Sequence, residues 1–557
     1  MKTCRPLVAL AVFAAMTACG SQPVETQENH VTAEALEAHV AVLASDDMDG
    51  RAPGTAGYDA AAVYVAEQFQ LAGLEPAGIA DSYFQPIVFK HIKIMEETAN
   101  LILRSEAQPL QLQYLDSYYF LLNPQVPVLD VTAPLVFAGY GITAPEQGIS
   151  SYKGLDVAGK IAVVLMNAPK GLGPEINAVL SSAERKAADA ANAGAAGMIL
   201  VFSKPDDKNY PFVRRASHAK DGAPYWLMPD GRPHSDYAPL SFVARLAPEK
   251  GALVFGGAQQ SYEDILELVA KGGPIPSFDL KTSVTARYGV SERVTVSSNV
   301  LARLPAQPAE EGSPAGESDE GLQEAVMLIG HLDHLGRGEP VEGDDIYNGA
   351  VDNALGIAAI IEAAKALAAT EEPRQRDIYF AALTAEESGL QGSQYLARYL
   401  PMPQDALTSV LNIDMPVALY PFASIHASGE THSTLGKFAL SAAQKYGLTR
   451  EDDPMPDEAI FVRSDHYSFV ERGIPSIYLQ IGVATPDGSA TGGLQAFEDF
   501  LNAHYHMPSD EIELPIDWQA AALFADVHVE MLRELATTRE AIAWTKDSFF
   551  NQPRRQP

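Results

Sequence analysis

Cysteine is almost missing from this chain: 557 residues hold two, Cys4 and Cys19. A disulfide framework, a thiolate metal site and a cysteine nucleophile are therefore out of reach, and stability must come from a large core. Positive charge is scarce as well. Lys and Arg number 39 against 72 Asp and Glu, a formal charge of −33. Nucleic acid and anionic lipid surfaces need a basic face, so the charge argues against them as partners; the acidity itself reads as solubility. No apolar run reaches the ~20 residues of a membrane-spanning helix, and no repeat of fixed period is visible. The chain is too long for one core, so two or three domains are expected.

The first residues read as a targeting segment. Lys2 and Arg5 precede the apolar stretch Leu7 to Ala18, which ends in Met16-Thr17-Ala18-Cys19-Gly20. Small residues before a cysteine resemble a bacterial lipoprotein signal, with cleavage before Cys19 and lipid on its thiol. The expectation is a signal at 1–18, a polar tether at 19–30 and an exported protein anchored to the membrane through Cys19. Gly20 and Ser21 after the cysteine suggest outer-membrane sorting, facing the periplasm. A plain secretory signal, giving a secreted or periplasmic soluble protein, is the alternative.

Beyond residue 30 the patterning changes three times. Residues 31–125 open with an amphipathic helix (TAEALEAHVAVLA), a turn-rich loop (MDGRAPGTAG) and a second helix ending at Gly73. Residues 126–275 carry short apolar runs (APLVFAGYG, KIAVVLM, GMILVF) between turns, as in a small β-rich domain. Inside it, 203–240 reads as a long structureless loop, and no role is assigned to His218 or His234. Residues 276–550 alternate strand and helix patterns, which predicts a three-layer α/β/α sandwich with a mixed central sheet. The acidic stretch 305–324 reads as a disordered insert.

Six polar residues in this last segment sit where apolar runs end or helices begin, the place where an open α/β sheet builds its site. They are His331 in GHLDHLG, Asp352 in NGAVDNALG, Glu386 and Glu387 in TAEESGLQGS, Asp414 in NIDM and His506 in YHMPSD. Imidazole and carboxylate without thiolate suit zinc. Five ligands serve two metals only if one bridges, and Asp352 is the natural bridge because both its oxygens could be presented. Strand alternation favours His331 over His334 and brings Asp333 near the far nitrogen of His331. The stop signal MPSD favours His506 over His504. Of the adjacent glutamates, one can bind metal while the other accepts a proton from water. Taken singly, Asp352 reads as the cap that opens the helix DNALGIAAIIEAAKALAAT and Asp414 as a strand-end turn residue; it is the ordered series that points to a two-zinc hydrolase.

These motifs resemble those of the co-catalytic dizinc aminopeptidase family (metallopeptidase family twenty-eight), which includes glutamate carboxypeptidase and glutaminyl cyclase relatives. The resemblance covers residues 280–545, and MDGRAPGTAGYDAAAVYVAEQFQLAGLEPAG is similar to the lead-in helix of its larger members. Residues 130–275, with VFAGYGI, YKGLDVAGKIAVVL and KAADAANAGAAGMILV, look like an inserted protease-associated domain. The resemblance implies two zinc ions per chain, one on His331 and Asp414 and one on Glu387 and His506, bridged by Asp352. It implies Glu386 as general base and then acid, Asp333 behind His331, a cis peptide at Asp352–Asn353, and a tyrosine on the oxyanion, for which Tyr505 is the candidate. Arg463, in a segment similar to the family's pocket lining, is a surface residue or a contact for a substrate carboxylate.

The function expected is that of an aminopeptidase acting on peptide substrates. Two other readings stay open: a carboxypeptidase for acidic C-termini, which needs cationic recognition groups, and a non-catalytic binding protein on the same fold, which needs no complete ligand set.

Overall fold

The computed structural model describes residues 31–105, 108–202, 207, 211–235, 237, 240–307 and 322–551. The expected signal and tether, and 308–321 of the acidic insert, lie outside the described residues. No described helix is long and apolar enough to cross a membrane.

The main sheet is mixed. From one edge its strands run Ala223–Trp226, Phe84–Ile94, the second half of Phe278–Leu304, Asp377–Leu383, Ala325–His331, Leu407–Asn412, Ser476–Ile481 and Ser424–Ser428. The four pairings that involve Ala325–His331, or join its neighbours Asp377–Leu383 and Leu407–Asn412 onward, set the site. Those with Asp377–Leu383 and Leu407–Asn412 are parallel, as is Leu407–Asn412 with Ser476–Ile481, whereas Asp377–Leu383 meets Phe278–Leu304 antiparallel.

Side chains alternate between two apolar layers, as the period of two in a strand requires. Val326, Leu328, Ile378 and Phe380 face helices Ala33–Leu43, Ala56–Leu71, Leu355–Ala368 and Trp518–Thr537. Met327, Ile329, Tyr379 and Ala381 face Gln391–Arg398 and the Phe469 turn. Strands buried on both faces read as continuous apolar runs, and this is the three-layer sandwich anticipated from the alternation. Helix Trp518–Thr537 starts where Asp517 accepts a hydrogen bond from the Ala520 amide (3.0 Å), and helix Ala56–Leu71 stops at Gly73, whose φ of +80° closes the last turn.

A second sheet forms the β-rich unit. Its central strands Val128–Phe137, Ile161–Leu165, Gly197–Val201 and Val243–Leu246 are sandwiched by two further apolar clusters. The strand pairing does not follow the expected boundaries of 126 and 275. Asn100–Arg104 and Tyr118–Leu121 also belong to this second sheet, and Phe278–Leu304 runs unbroken through both sheets, its first half in the second and its last half in the main one. A continuous ladder carries no composition break, so the sequence gives no sign of it.

The described part of the 203–240 stretch is also more ordered than expected. It holds helix Phe212–Asp221 and strand Ala223–Trp226, which adds to the edge of Phe84–Ile94. The main-sheet edge supplies the backbone partners that a free loop lacks. Trp226 then packs on Tyr395 and Tyr399, and its amide donates to Gln391 Oε1 (3.3 Å), so the β-rich unit touches the segment that follows the paired glutamates.

Candidate metal centre

Three strand ends and two loops converge at one edge of the main sheet. Ala325–His331 delivers His331 at its last residue; Asp377–Leu383 leads to Glu386 and Glu387; Leu407–Asn412 leads to Asp414. Asp352 does not cap the following helix, contrary to expectation. It sits in an irregular wide turn, Ala350–Ala354, with φ −112° and ψ 85°, and its peptide to Asn353 is cis. Helix Leu355–Ala368 begins beyond it. His506 follows helix Thr491–Ala503 in a left-handed conformation (φ +58°).

The donor atoms form two groups that share Asp352. His331 Nε2 lies 3.2 Å from Asp352 Oδ1 and 3.1 Å from Asp414 Oδ1. His506 Nε2 lies 3.5 Å from Asp352 Oδ2 and 3.0 Å from Glu387 Oε2. The two oxygens of Asp352 thus face different histidines. Single donor atoms from His331, Asp352 and Asp414 all fall within 4.8 Å of one another, as do those of His334, Asp352 and Glu387. The Nδ1–H of His331 donates to the Asp333 carbonyl (3.0 Å), which turns Nε2 toward the carboxylates. Oxygen and imidazole donors converging in this way fit zinc.

The electrostatics show the same demand for positive charge. Burial would raise Asp352, yet hydrogen bonds from His331 and His506 hold it well below the usual carboxylate range. Burial would lower His506, but Asp352 and Glu387 raise it to about 10. The adjacent glutamates separate. Burial and Asp352 press Glu387 upward, but His334 and His506 hold it at about 2. Burial lifts Glu386 well above the carboxylate range, with His331 opposing and the charges of Glu387 and Asp414 adding. Two acids driven apart by their surroundings are suited to different tasks.

Several placements differ from the sequence reading. His334 was expected to point away along an extended strand. The strand ends at His331, the chain turns, and His334 Nδ1 donates to Glu387 Oε1 at 2.8 Å. The Asp333 carboxylate does not reach His331; it accepts the backbone amides of Glu386 (3.1 Å) and Glu387 (3.4 Å), and burial pushes it up to about 7. Tyr505 stacks on His506 with ring centres 3.9 Å apart, and burial followed by the charges of Asp352, Glu387, Glu386 and Asp414 raises its phenol. His504 turns to Ser509 Oγ (3.0 Å), outside the cluster. Arg463 is exposed and paired with Glu458 Oε2 (2.5 Å).

Residues without a role in the sequence reading hold the ligands from behind. Ser464 Oγ donates to Asp414 Oδ2 (2.6 Å) and the Tyr478 hydroxyl to the Asp414 carbonyl (2.7 Å). Asn353 Nδ2 donates to the carbonyls of Ile413 (3.0 Å) and His331 (3.3 Å). Asp510 accepts the amides of Val351 (2.9 Å) and Asp352 (3.0 Å). The only signal for Asp510 was its place at the end of YHMPSD.

Residues 313–532 match the model of Peptidase family M28, and residues 131–247 match that of the PA domain. Among solved structures the chain is similar to an aminopeptidase from Aneurinibacillus sp. strain AM-1 (18% identity, 94% of this chain and 98% of that one, TM-score 0.49). It is also similar to a zinc aminopeptidase from Bacillus subtilis (18%, 93% and 99%, TM-score 0.41) and to a glutaminyl cyclase from Porphyromonas gingivalis (16%, 43% and 79%, TM-score 0.31). Every residue of the cluster, from His331 to His506, lies inside segment 313–532, which is a Peptidase family M28 segment, and segment 131–247 ahead of it is a PA domain.

Proposed function

We propose that this metallopeptidase is an aminopeptidase that uses two zinc ions to cleave the first peptide bond of its substrate. The observation that carries the reading is the sharing of Asp352 between two histidine–carboxylate groups. His331 and Asp414 would hold one ion, Glu387 and His506 the other, with Asp352 between them. Bound there, the pair supplies Lewis acidity, polarising a carbonyl and lowering the pKa of water toward ~7.

The chain's own groups do the rest. Glu386, adjacent to the ligand Glu387 and lifted by burial, takes the proton of the attacking water and returns it to the leaving amine. Tyr505, stacked on His506, donates to the tetrahedral oxyanion. Asp333 fixes the backbone of both glutamates, and His334 holds Glu387. The excess of buried acid suits a free α-ammonium group. A C-terminal carboxylate would instead need a cationic partner, and Arg463, the residue with which the carboxypeptidase reading was tied, is engaged by Glu458. The export signal and lipid on Cys19 remain part of this proposal.

Leucyl-p-nitroanilide should be hydrolysed and N-acetyl dipeptides left intact, with activity lost to a chelator and restored by zinc. Cleavage of blocked dipeptides from the C-terminal end, with no anilide turnover, overturns the reading.

A further inference from the structure

Arg51 belongs to the turn-rich MDGRAPGTAG loop, far in sequence from every residue of the metal centre. It ends a run of three residues in the left-handed region, Asp49, Gly50 and Arg51 (φ +49°, +64°, +52°), a conformation that two non-glycine residues adopt only when their surroundings fix them. Its side chain is fully buried. The guanidinium spends its donors on four carbonyls: Nε on Leu332 (2.8 Å), Nη1 on Leu43 and Asn348 (2.6 Å each) and Nη2 on Gly349 (3.0 Å). Leu332 is the residue after His331. Asn348 and Gly349 lead into the turn that presents Asp352.

The same turn is gripped from its other side by Asp510, which takes the amides of Val351 and Asp352 and, through its own carbonyl, that of Ala350. Asp510 lies four residues beyond His506. One loop is therefore tied by its carbonyls to the His331 strand end and by its amides to the His506 segment. Burial lowers Arg51 to about 10, with Asp510, Asp333, Asp352 and Glu387 opposing, so it stays charged at neutral pH beneath the acidic cluster.

We propose that Arg51 is a positioning residue for the bridging carboxylate: it fixes the Asn348–Asp352 loop against the His331 strand end so that Asp352 keeps one oxygen toward each histidine. The inference rests on the two-zinc reading above for what Asp352 does. A planar fork reaches several carbonyls at fixed angles; an ammonium group keeps the charge but cannot reproduce that pattern.

The test is zinc affinity, measured on R51A and R51K by competition with a chromogenic chelator, in protein whose circular dichroism and cooperative melting match the parent. R51A should bind the zinc pair tenfold to a hundredfold more weakly, the range for residues that orient ligands, and R51K several-fold more weakly. In both, kcat should fall while KM stays within about twofold of the parent, because the ligand geometry and not the substrate contacts is disturbed. Guanidinium chloride at ~10 mM should restore part of the affinity of R51A and leave the parent unchanged. Should R51A not fold, R51K decides. Either variant folding natively and holding zinc with parental affinity overturns the proposal. A parent chain that binds two zinc ions but cleaves no peptide sinks the aminopeptidase reading and leaves Arg51 standing; a parent that binds no zinc sinks both.

Discussion

Glu386 and Glu387 are joined by one peptide bond, yet their surroundings push them in opposite directions. Glu387 is held down by two imidazoles; Glu386, a residue earlier, has burial and three neighbouring acids raising it. A single residue change should separate the two tasks. E386Q keeps shape and ligands, so it should retain two zinc ions per chain while kcat falls by about 10²–10⁴, the usual worth of a positioned base; metal analysis alongside anilide turnover checks this, and an active E386Q removes Glu386 from the mechanism. At this scale the sequence was informative where a side chain acts beside its own strand end, as His331 and Asp414 do. It was silent where a side chain serves the backbone of a distant segment. Arg51 bonds Leu332 across 281 residues, and Asp510 bonds Val351 across 159; neither relation has a local pattern to read. His334 was misplaced because strand alternation was carried three residues past the point where the strand ends.

Among the elements, the turn before helix Leu355–Ala368 does most to shape the site. Gly349 at its start has φ +60°, and a Cβ there would stand 2.3 Å from the Asp352 carbonyl oxygen and 2.6 Å from the His334 ring. G349A should therefore destabilise the chain by about 1–3 kcal/mol, as overpacking does, and weaken zinc binding, read by urea unfolding and chelator competition; a parental unfolding midpoint contradicts the tight packing of the turn. The PA-domain region offers a pH test free of the metals. Lys186 is fully buried, its ammonium donating to the carbonyls of Tyr140 (2.6 Å) and Asn167 (3.0 Å), and burial lowers it to about 7 against its usual 10.5. Between those values the unfolded chain binds the proton and the folded chain does not, so this group makes stability rise with pH from about 7 to 10.5. Relative to K186M, the parent should gain stability between pH 7 and pH 9; a pH-independent difference between the two melts contradicts the burial effect. Helix and strand types were legible because both faces of each central strand are apolar. The wide turn at Asp352 was not, since its residues read as an ordinary helix start.

At the scale of the whole molecule, two sheets share one strand. Phe278–Leu304 leaves the second sheet and enters the main one, and the strand Ala223–Trp226 returns to cover the main sheet's edge. The inserted region is thus built into the framework that carries the paired glutamates, which composition could not reveal because continuous ladders leave no linker. The sandwich, the second β-rich unit and the ordered series of His, Asp and Glu that the fold brings together were all visible in the patterning; the way the units interlock was not. The central claim is that the two histidine–carboxylate groups form one bridged pair of metal sites. Crystals grown with zinc, measured above and below the zinc absorption edge, test it most directly. Two anomalous peaks ~3.5–4 Å apart, one between His331 and Asp414, the other between Glu387 and His506, with Asp352 touching both, are the predicted result. A single peak, or two peaks that do not share Asp352, contradicts it.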